Sequence, residues 1–162
     1  MRRKCRTVVF DLSTYPGGFL ERIPALYYAC CYLVESRRYE YFDPRNEKDV
    51  LKLLSRLKDA TEVVSFNGET FDLEVLRKHH GLTGRVPRRG RHTDICVLLS
   101  EKGRGGSLDD AARLNLGEPK LDISKLESDP INRNHAREAC RSDVSQTYRL
   151  WKRYQKGTLK FP

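Results

Sequence analysis

EVVSFNGETFDLEVLRKHHG, Glu62 to Gly81, packs a strand, a turn and a helix into consecutive residues. Glu62 to Phe66 is a short apolar run of strand type, and Asn67-Gly68 interrupts it. Beyond the turn the pattern becomes helical, with Thr70 placed to cap the first turn and Gly81 to stop the last. A strand that runs through a short turn into a helix is half of a parallel crossover unit, so this stretch predicts an α/β fold.

The flanking segments extend that reading. In TVVFDLST, Thr7 to Thr14, Val8, Val9 and Phe10 run straight into Asp11, as in a buried central strand that brings a carboxylate to the edge of its sheet. A second acid two residues on would share the same face, but that position is Ser13. After a loop with Pro16, Gly17 and Gly18, residues 25–34 and Arg38 to Phe42 read as an antiparallel pair. Asn46 with Asp49 can cap a helix carrying Val50, Leu53, Leu54 and Leu57. Downstream, TDICVLL fits either a strand or a helix. Ser107 with Asp110 opens a short helix through Leu114, and one long helix from about Asn134 to Tyr154 turns Ala136, Ala139, Cys140, Val144, Thr147 and Trp151 inward. This order predicts a mixed five-stranded sheet, a three-strand antiparallel meander plus parallel strands, with helices on both faces. The first strand would lie centrally, and ligands would bind beside its carboxyl end.

With 162 residues and 38% hydrophobic content, a single domain over 1–162 is expected. The net charge of +9 and the pI near 9.5 suit a partner rich in phosphate or an anionic surface, and equally a soluble basic protein. Met1 to Lys4 is basic but leads into neither a signal-peptide apolar region nor a membrane span, so a cytoplasmic location is expected. Cys5, Cys30, Cys31, Cys96 and Cys140 form no CxxC pair, which signals neither a disulfide framework nor a zinc site.

Three acids stand where chemistry would need them. Asp11 ends the first strand, Asp72 lies in the first turn of the helix after the neighbouring parallel strand, and Asp143 lies on the apolar face of the last helix. Such a buried acid is costly unless compensated, and divalent cations relieve the mutual repulsion of converging carboxylates.

These segments resemble the DnaQ-like, or DEDD, 3'-to-5' exonucleases of the ribonuclease H-like fold, especially the YprB-type and polymerase-B-proofreading-like branch. FDLST (Phe10 to Thr14) is similar to their first motif, FNGETFDLEVL (Phe66 to Leu76) to the second and ACRSDVSQTYRL (Ala139 to Leu150) to the third. HTDICVLL and SLDDAARLNLG resemble the stretch between the last two. The resemblance implies a nuclease that hydrolyses phosphodiesters of single-stranded DNA or RNA with two Mg²⁺ or Mn²⁺ ions. Carried over, Asp11 would bridge both ions, Asp143 would hold the ion bearing the attacking water, and Asp72 would reach the second ion through water. Thr14 and Asn67 would shape the pocket for the terminal nucleotide.

Two positions depart from the pattern. Ser13 replaces the glutamate of the first motif, and Ala139 stands where the family can place a tyrosine base. Glu138, at the alternative histidine position, is a candidate base or replacement ligand, and Glu21 and Glu69 are the other candidates to compensate for Ser13. Arg85, Arg88, Arg89 and Arg91, in a basic loop with Arg104 near it in sequence, are candidates to grip phosphates beside the carboxylates. Two functions therefore remain open: an active nuclease with a rearranged site, and an inactive ribonuclease H-like module that binds nucleic acid. A third, weaker one is a scaffold whose basic face docks a protein or a membrane.

Overall fold

The computed structural model describes residues 7–15, 23–102, 106–121 and 133–161. The 16–18 loop, Cys5, Glu21 and Arg104 lie outside the described residues. The elements run β1 (Thr7–Thr14), β2 (Leu26–Leu33), β3 (Arg38–Phe42), α1 (Glu47–Asp59), β4 (Glu62–Ser65), α2 (Asp72–His80), β5 (Arg91–Asp94), α3 (Ile95–Lys102), α4 (Leu108–Leu116) and α5 (Arg133–Gln155).

The five strands form one sheet in the order β3-β2-β1-β4-β5. β1 is central, antiparallel to β2 and parallel to β4, while β5 continues the parallel half. The expected α/β sheet is therefore present. Alternation along β1 divides the core: Val8, Phe10 and Leu12 pack with Leu53, Leu57, Leu73 and Leu76 of α1 and α2, whereas Val9 packs with Cys140, Val144 and Trp151 of α5. Asp11 has the parity of Val9 and so faces α5.

Local chemistry explains several helix ends. The Asn46 side chain accepts the Lys48 N–H at 3.1 Å, and Ser107 with Asp110 makes a reciprocal cap on α4. Gly81 and Gly117 close α2 and α4 in the left-handed region. TDICVLL divides at Asp94, becoming the end of β5 and the start of α3. Thr70 does not cap α2: its hydroxyl donates to Asn67 Oδ1 at 2.6 Å, and the helix starts after Phe71 without a side-chain cap.

The FNG turn is braced from three sides. Asp94 accepts the N–H groups of Asn67 (2.7 Å) and Glu69 (3.1 Å), with Asn67 itself at φ 61°. Ser65 Oγ accepts the Gly68 N–H at 3.2 Å and meets His92 Nε2 at 2.7 Å. A side chain at Gly68 would place its Cβ 2.4 Å from Ser65 Oγ, so glycine is required there. The bracing holds the start of α2, and Asp72 with it, against the end of β1.

Candidate active site

At the carboxyl edge of the parallel strands lies a cleft of about 340 Å³, lined by residues 11–14, Phe66, Asn67, Phe71, Asp72, Lys120, Ala139 and Asp143. Asp11, Asp72, Asp143, Thr14 and Asn67 thus line one cavity. A register shift between Ser13 and Thr14 marks a bulge in β1 at this rim, a common device for re-aiming side chains near a site.

Each acid is held differently. Asp72 Oδ1 accepts the Leu12 N–H at 3.0 Å, tying the first turn of α2 to β1. Asp11 receives the Cys140 thiol, at 3.2 Å from its carbonyl oxygen and 3.5 Å from Oδ2. Burial pushes that thiol well above its ordinary pKa, so Cys140 is a neutral donor. Asp143 Oδ2 lies 2.9 Å from Lys120 Nζ, whereas its buried Oδ1 has no hydrogen-bond partner among the described residues.

Burial, and for two of the acids a neighbouring carboxylate, raises the pKa of each. Burial, then the charges of Asp143 and Asp72, holds the Asp11 carboxyl far above the usual range. Asp72 is pushed up to about 8, mainly by burial, with its backbone hydrogen bonds opposing and Asp94 and Asp143 adding to the rise. Asp143 is raised by burial against the opposing Lys120 charge. Burial alone would weaken the Lys120 ammonium, but Asp143 and then Asp11 more than reverse that and raise its pKa. One lysine faces three acids here, so the cleft lacks cationic charge.

Other expected contributors stand elsewhere. Glu138 is exposed and does not line the cleft; five residues before Asp143, it is rotated by about 140° on the helix, away from the buried stripe. Glu69 is taken by His92 Nδ1 at 2.8 Å. The Glu69, His92 and Ser65 contacts have the order of a hydrolytic triad, but Ser65 is wholly buried and so braces the turn.

The basic loop, expected beside the carboxylates, lies at the opposite edge of the sheet. Arg91 pairs in register with Glu62, and Glu62 with Thr7, at the amino ends of the parallel strands. Four residues of strand, about 13 Å, separate Thr7 from Asp11. Arg91 also binds Glu62 Oε2 at 2.9 Å, Arg85 donates to the Gly90 carbonyl at 2.7 Å, and Arg88 sits 4.0 Å from Asp59, while Arg89 is exposed.

A second row of basic groups comes from α5, over β2 and β3. Arg133, Arg137 and Arg141, one helical turn apart, lie over the rings of Tyr27, Tyr41 and Tyr39 at 4.6, 4.0 and 4.8 Å. Their i, i+4 spacing was readable in the sequence, but the tyrosines beneath them come from β2 and β3. Lys120, three residues past the Gly117 cap, carries no local signal of its role.

A family model described as the RNase_H superfamily matches residues 21–159, and the chain belongs to that superfamily. Among solved structures, the Aedes aegypti Nibbler EXO domain superposes with a TM-score of 0.60 at 15% identity, covering 98% of this chain and 87% of that one. Escherichia coli RNase D, described as an exoribonuclease involved in structured RNA processing, gives 0.60 at 18% identity, covering 93% of this chain and 38% of its own. Trypanosoma brucei RNase D in complex with RNA U12 gives 0.58 at 13%, covering 98% and 65%. At these identities the likeness is one of fold. No curated protein matches the sequence.

For the divalent ions implied by the resemblance, no three His, Cys, Asp or Glu side chains among the described residues stand close enough to hold an ion alone. Two do offer suitable oxygens: the unpartnered Asp143 Oδ1, and the Asp11 carboxyl, whose pKa the Asp143 charge raises. Mg²⁺ commonly uses one or two carboxylates and completes its shell with water and substrate phosphate. The donor set fits such an ion.

Proposed function

We propose that this chain is a metal-dependent nuclease that hydrolyses phosphodiester bonds of single-stranded nucleic acid, working 3'-to-5' from a strand end in the cleft. The observation that carries the reading is the unpartnered, buried oxygen of Asp143 in a cleft shared with Asp11 and Asp72. A divalent ion held by Asp11 and Asp143 would supply Lewis acidity toward a phosphate. Asp11 and Asp143 provide the oxygens, and Asp72 keeps β1 and α2 in register through Leu12. Phe66 and Phe71 offer apolar surface to a terminal base, Thr14 and Asn67 offer polar groups beside it, and Arg137 with Arg141 would follow the backbone outside the cleft. RNA is the first substrate to test, because two of the fold neighbours are RNases D.

The test uses end-labelled single strands with Mn²⁺. Cleavage lost in Asp11→Asn and Asp143→Asn but kept in Glu138→Gln is the expected result. The absence of a family glutamate at Ser13 and of a tyrosine at Ala139 favours one other reading, a binding module without catalysis. Strand binding with no Asp11-dependent cleavage would establish that alternative.

A further inference from the structure

Lys120 is not a lysine that happens to lean over an acidic cleft; its segment is fastened in place. Gly117 ends α4 in the left-handed conformation and turns the chain toward α5. Glu118 pairs with Arg149 and also accepts from Gln146, whose amide donates to the Pro119 carbonyl at 2.9 Å. Lys120 donates its own N–H to Asp109 Oδ1 at 2.6 Å, and Asp109 is fixed in turn by Arg113 at 2.8 Å. The backbone on both sides of the site therefore aims this one side chain, and its ammonium ends 2.9 Å from Asp143 Oδ2.

The two Asp143 oxygens then have separate duties. Oδ2 is occupied by the lysine, and Oδ1, buried and without a partner, is the one left for a cation. On the Asp11 side, no second carboxylate joins the cleft, because the residue two along β1 on the same face is Ser13, which sits against the Cys140 thiol. With all three acids ionised, as a bound cation favours, they and the lysine carry a charge of −2, which one divalent ion neutralises.

We propose that Lys120 stands in for the second cation: the cleft takes one divalent ion and grips the substrate phosphate between that ion and the Lys120 ammonium. This rests on the nuclease reading for its catalytic part only. In the hydrolysis, a water oxygen bonds to phosphorus and the P–O bond to the departing nucleoside breaks. One water proton ends on the departing hydroxyl and the other on the new phosphate or solvent. Lys120 hydrogen-bonds the phosphate oxygens as charge moves onto them and keeps its proton throughout. A fixed ammonium also needs no recruitment from solution, so strand binding by this cleft depends less on metal concentration than a two-ion site would.

Metal-free protein titrated with Mn²⁺ alone, with bound ion counted by electron paramagnetic resonance, reads this without any cleavage. The wild type should bind one equivalent in the cleft, Lys120→Arg should also bind one, and Lys120→Met should accept a second. Cleavage should fall roughly 10²-fold in Lys120→Met, the usual effect of removing one preorganised donor to a developing oxyanion, and by less in Lys120→Arg. Two equivalents in the wild type would overturn the proposal, as would a Lys120→Met titration that superposes on the wild type. If Lys120→Met does not fold, the wild-type count alone decides. A count of one with no cleavage by any preparation would refute the nuclease reading and leave the lysine as the second cation; cleavage with two ions bound would do the reverse.

Discussion

Asp72→Asn should stabilise the metal-free protein, and the gain should grow with pH. Asp72 is buried, its pKa is near 8 against an ordinary 3.8, and Asn at this position keeps an oxygen for the Leu12 N–H. Between those two values the folded state holds a proton that the unfolded chain releases, so folding stability falls as pH rises from about 4 to 8. Each pH unit in that window costs about 1.4 kcal/mol, which puts an upper bound of ~4 kcal/mol on the burden at pH 7. Protonation of Asp143 relieves part of this, so a gain of about 2 kcal/mol is expected for the substitution. Urea denaturation in EDTA at pH 5, 6, 7 and 8 measures it, and at about 2 kcal/mol per molar the pH 7 midpoint should rise by about 1 M. Mn²⁺ at a hundred times its dissociation constant should return about 2.7 kcal/mol to the wild type and less to the variant. A variant less stable than wild type at pH 7, or a gap constant with pH, would refute the claim that burial and neighbouring acids disfavour the Asp72 carboxylate.

Three further outcomes follow from other parts of the molecule. Arg137→Ala with Arg141→Ala should weaken single-strand binding in a fluorescence anisotropy titration and flatten its log–log salt slope by about 0.7 per arginine, whereas Arg88→Ala with Arg89→Ala should leave the slope unchanged; the opposite pattern would return the contact to the far edge of the sheet. Gly90→Ala should cost at least ~2 kcal/mol, because its Cβ would lie 2.0 Å from the Thr61 carbonyl oxygen at φ +141°, and a thermal melt within a degree of wild type would contradict that. Burial tends to raise the Glu40 pKa, but the hydrogen bonds and charges of Arg56 and Lys52 outweigh it and hold Glu40 below its usual 4.5. The folded state then binds fewer protons than the unfolded chain, so this stability is present above about 4.5 and lost as pH falls through the folded value. Glu40→Gln should flatten the acid limb of the stability curve, and a curve parallel to wild type down to pH 3 would exclude this role.

Pattern carried the fold because a helix with one buried face repeats at 3.6 residues, while a central strand buried on both faces reads as a short apolar run. The strand-turn-helix from Glu62 to Gly81, with its Asn67-Gly68 break and Gly81 stop, and the inward stripe of α5 are legible on that ground. The cap of α2 was not, since Thr70 bonds to Asn67 within the turn, a choice made by the Asp94 and Ser65 bracing from other strands. The three acids of the cleft could be named from sequence, Asp11 and Asp72 at element ends and Asp143 as an acid on the apolar face of the last helix. The basic loop was misplaced because its charge is visible in sequence while its side of the sheet depends on strand direction, which puts Arg91 level with Glu62. Lys120 escaped notice because its partner is 23 residues away on α5 and its aim is set by Asp109, Gln146 and Arg149.

The cleft is assembled from parts that leave the ribosome far apart in time. All five strands, with Asp11 and Asp72, precede Lys120, and Asp143 follows on α5. Until that helix is made, the face of the sheet bearing Val9, Cys30 and Val64 lacks its principal cover and invites aggregation or chaperone capture. The same order leaves Asp11 and Asp72 without the third acid until α5 docks, so the cleft is completed in the same step that closes the core.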